Sequence, residues 1–174
     1  YLGVKTGVQA VHTVDATGMI VTPGLIDPHS HSDWSILANR AAYSTIHQGV
    51  TTEVVGNCGV TYAPLGEDDV GPARNALQAM GFGGEVDWRS FDGLLEAVHT
   101  GGTAQNLLWF VGHTAIRAAA QSNAERYGKE EERERTRLLE EAMEAGAIGF
   151  SSGLEYGAGR FADTAELGEL AEMA

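Results

Sequence analysis

The chain has a single cysteine, and one cysteine cannot form an internal disulfide. Cys58 is therefore either buried filler or a thiol that is chemically used. Basic side chains are scarce as well: 11 Lys and Arg stand against 24 Asp and Glu, a formal net charge of -13. Like charge repels phosphate, so neither nucleic acid nor an anionic membrane surface is an expected partner. No apolar stretch approaches the roughly 20 residues needed to span a bilayer. Nor does a basic start with a short apolar segment mark a secretion signal, so the expected location is cytoplasmic.

What is present is an apolar content of 43% in 174 residues, enough for a sizeable core in one domain or part of one. The chain begins at Tyr1 and ends at Ala174 inside a run that reads as a helix. Asp163 stands as its N-cap, with Glu166 at the capping-box spacing. A piece of a longer protein is the expectation.

Two β-rich runs, 8–14 and 19–22, flank the turn-forming Asp15-Ala16-Thr17-Gly18 and predict a hairpin, the tail of a small β-domain over residues 1–22. From residue 23 to 174 apolar strand-like runs alternate with helical stretches, the pattern of a βα succession on a parallel sheet. Strands are predicted at 25–28, 51–55, 107–111 and 147–150, and helices at 39–48, 72–80, 91–100 and 129–145. The candidate functional residues all follow strand ends, where a (β/α)₈ barrel builds its active site. Eight units need about 250 residues, so the expected fold class is α/β, the first four βα units of a metal-dependent (β/α)₈ barrel.

His29 and His31 are one residue apart behind an apolar run, and Cys58 follows in Gly56-Asn57-Cys58-Gly59. Side chains on a strand repeat every second residue, so an H-x-H at a strand end turns both imidazoles to one side. Asp27 shares that parity. Polar groups buried on one face need partners, and a shared cation would satisfy them. The bland alternative is a pair of ordinary polar residues near a strand end. Imidazole nitrogen and thiolate sulfur both suit Zn²⁺, which in catalytic sites keeps a position for water and lowers its pKa to about 7.

The run Val21-Thr22-Pro23-Gly24-Leu25-Ile26-Asp27-Pro28-His29-Ser30-His31 resembles the strand-one signature of the amidohydrolase superfamily, metal-dependent hydrolases on a distorted (β/α)₈ barrel. Within it, Gln48-Gly49-Val50-Thr51-Thr52, Val55-Gly56-Asn57-Cys58-Gly59 and Gly149-Phe150-Ser151-Ser152-Gly153-Leu154-Glu155-Tyr156 resemble the D-aminoacylases, or N-acyl-D-amino-acid deacylases, and the similarity covers nearly the whole chain. The resemblance implies a small-molecule N-acyl-D-amino acid as substrate and zinc as cofactor. It implies Cys58 as a zinc ligand, His29 and His31 at a second, weaker metal position, and Tyr156 as a substrate contact. It also places two further histidine ligands and an aspartate general base after Ala174, so no catalytic residue is assigned within these 174.

Many binuclear members of the superfamily bridge their metals with a carboxylated lysine near the end of strand four. The two lysines here are Lys5, before the barrel, and Lys129, in a charged helix. Another anionic ligand is needed, and a thiolate from Cys58 can serve. Other readings stay open: a cyclic amidase or dipeptidase on the same scaffold, or a non-catalytic truncated copy.

His113 in Gly112-His113-Thr114 either faces the site or is a hydrogen-bonded structural histidine. Gly149-Phe150-Ser151-Ser152-Gly153 has the letters of a nucleophile elbow, but an elbow needs a helix directly behind its serine, and Gly153, Gly157 and Gly159 predict a loop. His12, His47 and His99 read as structural, the last two near helix C-termini that favour an imidazolium.

Overall fold

The computed structural model describes residues 7, 9–121 and 128–174. Short β-rich runs form the strands: β1 (Leu25–Asp27), β2 (Val50–Val55), β3 (Asn106–Trp109), β4 (Val111–Gly112) and β5 (Phe150–Ser151). All the pairings are parallel. β1, β2 and β3 form one sheet with Asp27 opposite Glu53 and Val55 opposite Trp109, while β4 pairs with β5, Gly112 opposite Ser151. Backbone bonds continue across the break at Phe110: its N–H donates to Val55 O at 2.9 Å, and the Val111 N–H donates to Gly149 O at 3.1 Å. The third run thus leans on the second up to Phe110 and on the fourth from Trp109 onward, where the Ile148 N–H donates to Trp109 O at 2.8 Å. Four successive runs lie side by side in sequence order, as parallel strands joined by helical crossovers require.

The helices are α1 (Tyr43–Ile46), α2 (Val70–Ala79), α3 (Phe91–Gly101), α4 (His113–Ala119), α5 (Lys129–Glu144) and α6 (Thr164–Met173). Their apolar faces supply the core: Leu77 of α2, Phe91, Leu94 and Val98 of α3, Ile116 of α4, Leu138 and Leu139 of α5 and Leu170 of α6 pack around Val55, Trp109 and Val111. Side chains set the helix starts. Ser90 Oγ accepts from the Gly93 N–H at 3.1 Å, and Asp163 Oδ1 accepts from the Glu166 N–H at 2.9 Å, so the cap expected at Asp163 is present. Among the described residues no helix is long and apolar enough to cross a membrane.

Several expected elements differ. Residues 9–14 and 19–22 form no strand, and Val8 lies outside the described residues. The turn itself is made: Thr17 donates twice to Asp15 Oδ1, and the Met19 N–H bonds to Ala16 O. Its flanks bury nothing, Ile20 being 91% exposed, and an isolated two-stranded hairpin is marginal without a surface to cover. The helix expected over 39–48 shrinks to Tyr43–Ile46, because Ala42 takes a left-handed φ of 41° and Arg40 is held by the Ala97 and Val98 carbonyls at the end of α3. The strand expected over 107–111 breaks at Phe110, and the one over 147–150 shortens to Phe150–Ser151. α4 starts at His113, where no helix was expected; seven residues are too few to show a helical period.

Candidate metal centre

His29, His31 and Cys58 converge where the chain leaves β1 and β2. One ligand atom from each falls within 4.8 Å of the others, the one such group of three found among the described residues. Cys58 Sγ lies 3.4 Å from His29 Nε2, and the two imidazoles stand edge to face with centroids 5.6 Å apart. The route differs from simple strand alternation. β1 ends at Asp27, and His31 already caps the short 3₁₀ turn Ser32–Trp34. Asp27, which shares the parity, does not join the cluster: its Oδ1 accepts the His29 N–H at 3.0 Å and so orients the loop instead.

Cys58 is brought round by a tight turn. It takes a left-handed φ of 57°, between Gly56 and Gly59 at 75° each. A Cβ on Gly56 would collide with the Phe110 carbonyl, and one on Gly153 would collide with the Cys58 carbonyl, so the turn is wedged between the third and fourth runs. Asn57 is buried and donates to Ser30 O at 3.0 Å and Val54 O at 2.9 Å. It ties the cysteine turn to the histidine loop. On the far side, the Thr114 N–H at the start of α4 bonds to Gly59 O at 2.9 Å.

Behind the histidines lies a buried acidic pair that the sequence reading missed. Glu53 Oε1 accepts from the hydroxyls of Ser30 at 3.0 Å and Ser32 at 2.9 Å, the neighbours of His31 on either side. Asp33 is buried, and neither of its oxygens makes a well-formed hydrogen bond. Burial therefore pushes its carboxyl up from 3.8 to about 7; the nearby Gly56 and Asp33 amides offset this in part, and the charge on Glu53 adds to it. Burial, with the Asp33 charge adding, also raises the Tyr62 phenol. Parity alone could have flagged Glu53, which alternates with the buried Val55 on β2.

A metal fits these residues. Two imidazoles and a thiol are borderline-soft donors of the kind zinc takes, and they share a space too small for three independent hydration shells. His31 Nδ1 is buried without a hydrogen bond, an unmet need on a ring that packs at 5.0 Å against Trp34. His29 is exposed and Cys58 half-buried, so one side of the group is open to solvent.

The weaker candidates separate. His113 is fully buried, with Nε2 2.8 Å from Glu166 Oε1, which is its structural reading. Glu166 does not close a capping box. Its carboxylate also takes Arg117 of α4 and Arg135 of α5, the latter at 2.8 Å, and ties three helices together. Ser151 is no elbow nucleophile: its hydroxyl donates to Gly56 O and accepts from the Gly59 N–H at 2.9 Å, and no helix starts behind it. Tyr156 is 48% exposed, on the loop whose Gly153 touches the cysteine turn. His12, His47 and His99 are exposed outside the cluster, Lys129 is the first residue of α5, and Lys5 lies outside the described residues.

The chain as a whole is similar to known proteins. The chain is 40% identical over 163 residues to the D-aminoacylase of Alcaligenes xylosoxydans xylosoxydans, covering 92% of this chain and 33% of that protein. It is 35% identical over 167 residues to the N-acyl-D-aspartate deacylase of the same organism, covering 95% and 33%. The N-acyl-D-glutamate deacylase of Bordetella bronchiseptica, solved with zinc and a phosphonate that mimics the tetrahedral intermediate, superposes with a TM-score of 0.82 at 35% identity over 97% of this chain and 35% of that one. The chain thus spans about a third of the length of the curated relatives it matches. A family model described as amidohydrolase family matches residues 12–172, and to that family the chain belongs.

Proposed function

We propose that His29, His31 and Cys58 form part of a zinc site that hydrolyses the amide bond of N-acyl-D-amino acids, and that the four parallel runs are the opening half of a (β/α)₈ barrel. The convergence of the three donor atoms within 4.8 Å carries this reading. Relatives named for N-acyl-D-amino acid substrates, and a zinc-bound neighbour, support the substrate and the metal. When bound, zinc supplies Lewis acidity for the acyl carbonyl and acidifies water toward neutral pH.

The chain's own residues do the holding. Cys58 contributes the anionic donor in a protein with no lysine among the strand-end residues, and His29 and His31 contribute neutral nitrogen. Glu53, through the Ser30 and Ser32 hydroxyls, fixes the loop that presents His31. Tyr156 is assigned the substrate contact, a role that its half-exposed position on the neighbouring loop supports. The remaining ligands and the general base come from outside these 174 residues.

The test is a substrate panel on the full-length protein that carries this chain. Hydrolysis of N-acetyl-D-amino acids, with the L-enantiomers and hydantoins untouched, is the expected result. Preferential opening of hydantoins, or no hydrolysis by the zinc-loaded protein, contradicts it.

A further inference from the structure

The hydroxyl of Ser151 touches both ends of the turn that carries the thiol. It donates to the carbonyl of Gly56 and accepts the N–H of Gly59 at 2.9 Å. We propose that Ser151 is a positioning residue for the metal centre, one side chain that staples the Gly56-Asn57-Cys58-Gly59 turn shut and keeps the Cys58 sulfur facing His29. The inference rests on the metal-site reading above and assigns a role to a serine that touches neither metal nor substrate.

Three observations make the staple necessary. Cys58 sits at a φ of 57°, a region that side chains with a Cβ avoid, so the turn relaxes unless its ends are held. Asn57 already fixes the side facing the histidine loop, through Ser30 O and Val54 O. On the opposite side the Gly56 carbonyl and the Gly59 amide take their side-chain bonds from Ser151, and their closing geometry is set by one oxygen atom.

Ser151 is itself well anchored. It lies on β5 opposite Gly112 of β4, so the register of the fourth run against the third is passed on to the sulfur. The next residue, Ser152, has its hydroxyl 3.4 Å from His113 Nδ1, and the other nitrogen of that ring meets Glu166. The strand end is thereby tied to the buried ionic cluster. Groups that orient metal ligands typically change metal affinity 10- to 100-fold when removed.

The test is a Co²⁺ titration of the full-length protein, read by the thiolate-to-cobalt charge-transfer band and by competition with a chromophoric chelator. Ser151→Ala is expected to weaken Co²⁺ binding roughly 10- to 100-fold and to diminish the band, while Ser151→Thr, which keeps the hydroxyl, restores both. Unchanged affinity and band in Ser151→Ala overturn the inference, even if the variant melts earlier. A wild-type protein with no thiolate band overturns the metal reading instead. Should Ser151→Ala fail to fold, amide exchange of the wild-type protein decides: the Gly59 N–H is expected to exchange slowly, and exchange as fast as an exposed loop amide overturns the staple.

Discussion

Cys58 is held in a backbone conformation that it would not choose, and its neighbours supply the hold. The left-handed φ of 57° costs about 1–2 kcal/mol for a residue with a Cβ. Asn57 shows the compensation best, because it is buried and its amide satisfies one carbonyl of the histidine loop and one of β2. Asn57→Ala leaves both without that donor and is expected to destabilise the protein by about 2 kcal/mol, read from the shift in urea midpoint at constant slope. A shift below about 0.5 kcal/mol would show that water replaces the amide at no cost. At this scale His29, His31 and Cys58 were legible because few residue types bind metals and their spacing follows strand ends. Asp33 and Glu166 were not, because an acidic residue in an acidic chain reads as solvated surface, and for Glu53 the strand parity shared with Val55 was the one signal. Their burial depends on partners such as Ser30, Ser32, Arg117 and Arg135 that only the fold brings near.

Elements with a long period or a strong cap could be read from the sequence, and those without could not. α3 carries Phe91, Leu94, Leu95 and Val98 at helical spacing, α5 carries charges of both signs followed by Leu138, Leu139 and Ala142 on one face, and α6 opens on an Asp cap. α1 and α4 are too short for a period to emerge, and α1 is cut by the left-handed Ala42. The buried Glu166 explains how α4, α5 and α6 hold their relative places, since its carboxylate meets His113, Arg117 and Arg135 at once. Removing one charge from a buried ionic cluster typically costs about 3–5 kcal/mol, and the second carboxylate near Arg135, Glu169 Oε2 at 4.0 Å, sets the expectation at the low end. Glu166→Gln is therefore expected to lower stability by about 3 kcal/mol or more in urea denaturation. An effect under about 1 kcal/mol would mean that the arginines reach other anions or water. The same variant acts on the centre only at a distance, through His113 and Ser152, so its metal affinity is expected to change less than that of Ser151→Ala.

Over the whole molecule, parallel runs in sequence order set their C-terminal ends on one side, and the candidate ligands gather there because each follows such an end. The formal charge of -13 fits a protein that attracts cations and repels phosphate. Residues 9–14 and 19–22 carry exposed apolar side chains such as Val11 and Ile20, so the β-rich composition was legible there but the hairpin it predicts is not formed. The central claim is that His29, His31 and Cys58 bind one metal together. Its most direct test is zinc content, with a parallel Co²⁺ spectrum, of the full-length wild-type protein beside Cys58→Ala and His29→Ala. Zinc in the wild type with a thiolate-to-cobalt band, the band abolished in Cys58→Ala and metal affinity weakened in both variants, is the predicted result. Full zinc content and an unaltered cobalt spectrum in Cys58→Ala would contradict it.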